Sequence, residues 1–154
     1  MTRPAPSELK HSAPSLQAEA IVALLRAAGR LDWRLCEFMK PYGLSPTQFN
    51  CLRILRGAGP AGLTCSEIAE RMINRDPDIT RLVDRLEKRG LLKRSRESKD
   101  RRVIIVRIAQ PGLDLLKTMD RPLDQFQCKL VVALGEPRLR SLIHLLAAVR
   151  DAAS

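Results

Sequence analysis

Residues 78–109, DITRLVDRLEKRGLLKRSRESKDRRVIIVRIA, leave few options for how they fold. Ile79, Leu82, Val83 and Leu86 recur at the i, i+3, i+4, i+7 spacing of a helix with one buried face, and Gly90 stops it. Two short runs follow, LLKRSRE and RVIIVRIA, joined by SKDR. The second run is rich in β-branched residues and alternates imperfectly (Val103, Ile105, then Arg107), the pattern of a half-buried hairpin strand. Cations crowd the whole segment: Lys88, Arg89, Lys93, Arg94, Arg96, Lys99, Arg101, Arg102 and Arg107, opposed after the helix only by Glu97 and Asp100. A helix able to enter a groove, followed by a basic ribbon, makes duplex DNA the first partner to consider.

Composition agrees with that partner. The 154 residues carry a formal charge of +10, which favours a polyanion without specifying a fold. Aromatic residues are scarce at 3%. Single-strand binders stack bases on aromatic platforms, so the scarcity points to backbone and groove contact with a duplex. No apolar run reaches the ~20 residues that span a bilayer. The first fifteen residues, MTRPAPSELKHSAPS, lack the apolar core of a signal peptide, so a cytoplasmic protein with no membrane partner is expected.

The segments around the ribbon read mainly as helices. Residues 1–15 look like a loose arm. In 16–43, Leu16, Ala20, Leu24, Leu25, Ala28, Leu31, Leu35 and Phe38 mark a long apolar helix, with Gly29 as a weak interruption and Pro41 and Gly43 as its end. Ser45, Pro46 and Gln48 form a capping signature for the next helix, and Thr64 with Glu67 form another. The helix carrying Leu82 has Asp76 or Asn74 as its expected cap, with Pro77 early in its first turn. After the ribbon, residues 111–154 read as one long helix or two, which Pro122 must kink or split, and a last helix striped by Leu139, Leu142, Leu146 and Val149. The fold class is therefore mainly α with a small β-hairpin wing: a winged helix-turn-helix over 44–110, flanked by terminal helices at 16–43 and 111–154.

On the helix that carries Leu82, burying the apolar face leaves Thr80, Arg81, Arg85 and Lys88 outward. Arg81 and Arg85 are one turn apart, a spacing suited to a guanine edge and a phosphate together. The plainer reading makes them solvated charges paired with Asp78, Asp84 or Glu87; the adjoining basic ribbon favours DNA. Asp76 and Asp78 suit the helix dipole but would repel phosphates, unless one accepts from a cytosine amine. Both possibilities stay open at this level.

The segments LSPTQFNCLRIL, GLTCSEIAERM, TRLVDRLEKRGLLKR and DRRVIIVRI, followed by Gly112, resemble the MarR family of bacterial transcriptional regulators over residues 44–116. Asp100-x-Arg102 after a helix ending in LEKRG is the more specific element. The resemblance implies a homodimer whose terminal helices interlock and whose two lobes read a pseudo-palindromic site. It also implies that Arg102 enters the minor groove from the wing, with Asp100 holding it. A narrow minor groove concentrates negative potential, so arginine suits that task; the plain alternative is an exposed turn salt bridge worth at most ~1 kcal/mol.

The DNA-contacting set expected from these readings is Thr80, Arg81, Arg85, Lys88, Arg94, Arg96, Lys99, Arg101 and Arg102, with Asp100 supporting the wing. The expected dimer contacts are Leu24, Leu139, Leu142, Leu146 and Val149, because their apolar stripes need burial that a lobe of this size does not require.

Members of the family commonly respond to small ligands or oxidants. Trp33, Phe38 and Tyr42 are the candidates for an effector pocket, against the plainer reading that they pack. The cysteines (Cys36, Cys51, Cys65, Cys128) form no C-x-x-C pair and read as reduced structural thiols. The early first helix, where peroxide-sensing members carry their reactive cysteine, has none. His144 stands alone on an apolar helix, where a structural role is expected. No cofactor, metal site or catalytic constellation is expected, and hence no enzyme. The reading is a sequence-specific DNA-binding regulator, a repressor released by a ligand. The alternatives are a winged-helix module for protein or RNA contact, or a thiol-based redox version of the regulator.

Overall fold

A computed structural model of the chain describes residues 14–73, 78–96 and 103–153. It divides into two compact units, Met1–Pro46 and Thr47–Ser154.

The first unit is built on helix α1, Leu16–Met39. Ser15 caps it, its hydroxyl oxygen accepting from the Ala18 N–H at 3.2 Å. Gly29 does not interrupt the helix. Twenty-four residues at 1.5 Å per residue make a rod of about 36 Å. A 3-10 turn, Lys40–Tyr42, follows, and Gly43 leaves it with φ 66°, a left-handed conformation that glycine adopts without strain. Only Met39 is buried within α1. Leu16, Ile21, Val22, Leu25, Leu31 and Trp33 are exposed.

Helix α2, Pro46–Ala58, lies in the second unit from Thr47 onward and buries Phe49, Asn50, Cys51, Leu52 and Leu55. Asn50 is the single buried polar residue among those described, and its amide donates to the Met72 sulfur at 3.5 Å. Helix α3, Cys65–Arg71, starts with the expected capping box: the Thr64 hydroxyl accepts from the Glu67 N–H, and the Glu67 carboxylate accepts from the Thr64 N–H at 2.7 Å. That backbone bond, then the Thr64 hydroxyl, holds the Glu67 pKa below its ordinary value. A depressed folded pKa means the cap stabilises fully above the unfolded carboxylate range and weakens as pH falls through the folded value.

Helix α4 runs Ile79–Lys88 and buries Ile79, Leu82, Val83 and Leu86, the four residues whose spacing predicted it. Its cap is Asp78, whose carboxylate accepts from the Arg81 N–H at 3.2 Å. This corrects the expectation of a cap at Asp76 or Asn74, both of which lie outside the described residues. The N–H that Asp78 binds lies three positions on, the usual reach of a capping carboxylate. The helix ends in a Schellman turn: the Gly90 N–H donates to the Glu87 carbonyl at 2.8 Å and the Leu91 N–H to the Leu86 carbonyl at 3.0 Å, with Gly90 at φ 70°.

Strands β1, Leu92–Arg96, and β2, Ile104–Ile108, pair antiparallel with Leu92 opposite Ile108 and Arg96 opposite Ile104. Ile105 and Val106 are both buried although neighbours in a strand face opposite ways. The base of the ribbon is therefore covered on both faces, and this is why the alternation in the sequence is imperfect. Leu63 pairs with Val106 along the other edge of β2, exchanging bonds of 3.0 and 2.8 Å.

Helix α5, Gln110–Val131, is continuous through Pro122, so the expected split does not occur there. Proline gives up one i→i−4 bond, and a helix of 22 residues anchored by buried Gly112, Leu116 and Met119 tolerates that loss. The break comes later, at the 3-10 turn Val132–Leu134. Arg56 at the end of α2 ties to α5, its Nη1 donating to both Asp120 oxygens at 2.9 and 3.0 Å. The last helix, α6, spans Gly135–Ala152 and buries none of its residues. No helix among the described residues is long and apolar enough to cross a membrane.

Candidate nucleic-acid interface

Helix α4 divides into three lengthwise stripes. Ile79, Leu82, Val83 and Leu86 face the core. Thr80, Asp84 and Glu87, at i, i+4, i+7, run along the side next to β1, where Arg94 meets them. Arg81, Arg85 and Lys88 share the same spacing on the next side and are exposed. The outward cations expected from the sequence thus fall on one stripe, one turn apart.

These arginines are held lightly. Arg81 Nε meets Asp78 Oδ2 at 3.1 Å, with 81% of the Arg81 side chain exposed. An ion pair in that much water is worth at most ~1 kcal/mol, so a phosphate or base edge can displace it. Arg85 Nε donates back to the Arg81 carbonyl at 3.2 Å. Asp78, a puzzle in the sequence, has two tasks in this geometry: it caps the helix and it holds Arg81. Neither requires it to touch DNA.

The ribbon continues the basic surface unevenly. Lys93 and Arg96 are exposed on β1. Arg94, expected among the DNA contacts, instead turns back to Asp84, Glu87 and the Thr80 carbonyl. Arg107 braces the ribbon from within, donating to the Pro60 carbonyl at 2.7 Å and to the Ser95 hydroxyl. Lys99, Asp100, Arg101 and Arg102 lie outside the described residues. Asp84 and Glu87 entered the sequence reading only as counterions for the helix arginines. Their i, i+3 spacing just before a glycine stop and a strand arginine was the available signal for the grouping with Arg94.

The other candidates are dispersed. Leu142, Leu146 and Val149 are exposed on α6, where Ile143 and Leu145 extend the apolar surface. Leu139 on α6 and Leu24 on α1 are half-buried. Phe38 and Tyr42 meet with ring centroids 5.7 Å apart and planes tilted by 41°. Trp33 borders a shallow hollow with Leu25, Arg26, Gly29 and Arg30. His144 is exposed on α6. No group of three or more metal-ligand side chains occurs among the described residues. All four cysteines are free, with Cys36 and Cys128 exposed. Burial pushes the Cys51 thiol up to about 12, with Cys65 adding to the shift, so at neutral pH Cys51 is a thiol rather than a nucleophile.

The model of the MarR family matches residues 44–104, the span from the start of α2 into β2. A solved MarR transcription factor from Planctomyces limnophilus is 37% identical, with a TM-score of 0.68, and the match covers 89% of this chain and 99% of that one. The chain belongs to the MarR family. Among curated relatives, the HTH-type transcriptional repressor MdtR of Bacillus subtilis is 34% identical over 101 residues, which is 66% of this chain and 64% of MdtR. The chain thus spans under two thirds of that relative's length. The S. aureus MepR–DNA complex shares the fold at a TM-score of 0.78 and 17% identity, covering 91% of this chain and 99% of MepR. Fold class and family therefore stand as the sequence predicted them.

Proposed function

We propose that the chain is a sequence-specific transcriptional regulator that binds duplex DNA as a homodimer, a repressor released from its operator by a small ligand. The observation that carries this reading is the exposed stripe Arg81, Arg85 and Lys88 on α4, continued by Lys93 and Arg96 on β1, in a chain of the MarR family. A helix face with cations one turn apart fits base edges and phosphates of a major groove, while the ribbon reaches along the backbone. Thr80, at the exposed start of the same helix, joins the contact set, and the wing residues Lys99, Arg101 and Arg102 extend it, with Asp100 steadying Arg102. DNA as the target supports a cytoplasmic protein, and the likeness to transcriptional regulators supports a regulator over an enzyme.

The homodimer is supported by α6. Leu142, Leu146 and Val149 stay exposed, and an apolar helix face of that extent needs a partner. A second copy, meeting Leu139 and Leu24 as well, would bury it and would set two recognition helices about one DNA turn apart. For the effector, Trp33 with Arg26 and Arg30 is one candidate and the Phe38–Tyr42 pair another.

Arg102→Ala tests the wing assignment. The expected result is weaker binding to the duplex upstream of the chain's own gene, by about tenfold or more if a groove contact worth ~1–3 kcal/mol is lost, with the dimer intact by light scattering. Unchanged affinity would count against the assignment.

A further inference from the structure

Arg94 sits mid-strand in β1, opposite Val106, yet its cation points back at α4. Its guanidinium meets Asp84 Oδ1 at 2.5 Å and Glu87 Oε2 at 3.4 Å, and Nη2 donates to the Thr80 carbonyl at 3.3 Å. The Arg94 main-chain N–H donates to the other Glu87 oxygen at 2.9 Å. One stripe of the recognition helix therefore grips both the backbone and the side chain of a single strand residue. Only 25% of the Arg94 side chain is exposed.

Charge settles what such a group can do. One guanidinium between two carboxylates leaves the cluster at a net charge of −1, so it does not draw a phosphate. The fork of the guanidinium suits two carboxylates at once, which a lysine ammonium cannot match. A two-stranded ribbon is marginal alone and takes its orientation from what holds its base. We propose that Arg94 is a positioning residue, which locks the wing to the recognition helix through Asp84 and Glu87 and supports DNA recognition without touching DNA. The inference rests on the DNA-binding reading above. It removes Arg94 from the contact set and gives the two acids of α4 a task.

The test is a fluorescence-anisotropy titration of the upstream duplex and a scrambled duplex of equal length. It compares the full-length wild type, Arg94→Lys and the double variant Asp84→Asn with Glu87→Gln. Arg94→Lys keeps the charge and loses the fork, so its preference for the upstream duplex should fall by about tenfold, whereas a phosphate anchor would tolerate lysine and weaken uniformly across sequences. The double variant removes two negative charges beside the basic face. Simple repulsion predicts tighter binding; the bracket predicts weaker binding to the upstream duplex, because the wing loses its hold. Hydrogen exchange at the Arg94 amide, faster in the double variant, reads the same loss without DNA and in whatever fraction stays folded. An Arg94→Lys variant that binds as wild type, a double variant that binds more tightly, or an unchanged Arg94 amide would each overturn the proposal. A wild type without preference for the upstream duplex would sink the DNA reading and the bracket's purpose with it. A wild type with preference and insensitive variants would sink the bracket alone.

Discussion

Replacing Leu142 and Leu146 with glutamate is expected to turn the protein into a monomer that no longer holds its operator. Both side chains are 39% exposed on a helix that buries none of its own residues. Fully burying a leucine is worth roughly 1.5–3 kcal/mol, so two per copy, doubled by symmetry, form a large part of a dimer interface. Glutamate there would place four carboxylates in contact across the symmetry axis. Since two lobes bind one DNA through a single linkage, losing that linkage costs on the order of a hundredfold or more in operator affinity. The helix itself should persist, because glutamate is a good helix former and neither position is buried within the chain. Light scattering and circular dichroism together check this. A stable dimer of full affinity would show that the interface lies elsewhere.

The second large effect is expected inside the lobe. Gly112, in the first turn of α5, packs against the residue that follows α4's closing turn, and a Cβ there would lie 2.2 Å from the Leu91 carbonyl oxygen and 2.9 Å from Ile108 Cγ1. The first of these is backbone, and it also accepts from the Ala109 N–H at 3.0 Å, so it cannot move aside without loosening the junction of wing and α5. Overpacking of this kind costs about 1–3 kcal/mol and occasionally more, and the backbone clash puts Gly112→Ala at the upper end. A stability loss near 3 kcal/mol lowers the melting temperature by roughly 10 °C for a chain of this size. Gly29→Ala is the matched control. It lies inside α1, where the added carbon meets nothing within 4 Å beyond its chain neighbours and the helix's own backbone, and alanine there should stabilise by about 0.5–1 kcal/mol. Melting curves at one protein concentration compare the two. A Gly112→Ala protein as stable as wild type would contradict the close approach.

The same contrast shows what the sequence made legible. Helical periodicity predicts the buried set Ile79, Leu82, Val83 and Leu86, β-branched content the strand pair around SKDR, and the Thr64-x-x-Glu67 motif the capping box, because each depends on residues close in the chain. The tight contact at Gly112 joins residues 91 and 112, and the tie from Arg56 to Asp120 joins α2 to α5. Neither leaves a local pattern. The turn of Arg94 toward Asp84 and Glu87 is hidden in the sequence for a related reason. A cation in a basic run reads as one more anchor until the fold shows two carboxylates of the preceding helix facing it. Pro122 does not split the helix, and the buried residues Gly112, Leu116 and Met119 that precede it anchor α5 where propensity alone disfavours it.

That this basic helix and ribbon read duplex DNA is tested most directly by binding of the protein to its upstream duplex and to a scrambled duplex across a range of salt. Log K is expected to fall linearly with log salt, with a slope of about −0.9 for each phosphate neutralised and several phosphates engaged. Preference for the upstream duplex is expected to persist along the whole range. Equal affinity for both duplexes, or binding indifferent to salt, would show that the helix and ribbon do not read duplex DNA.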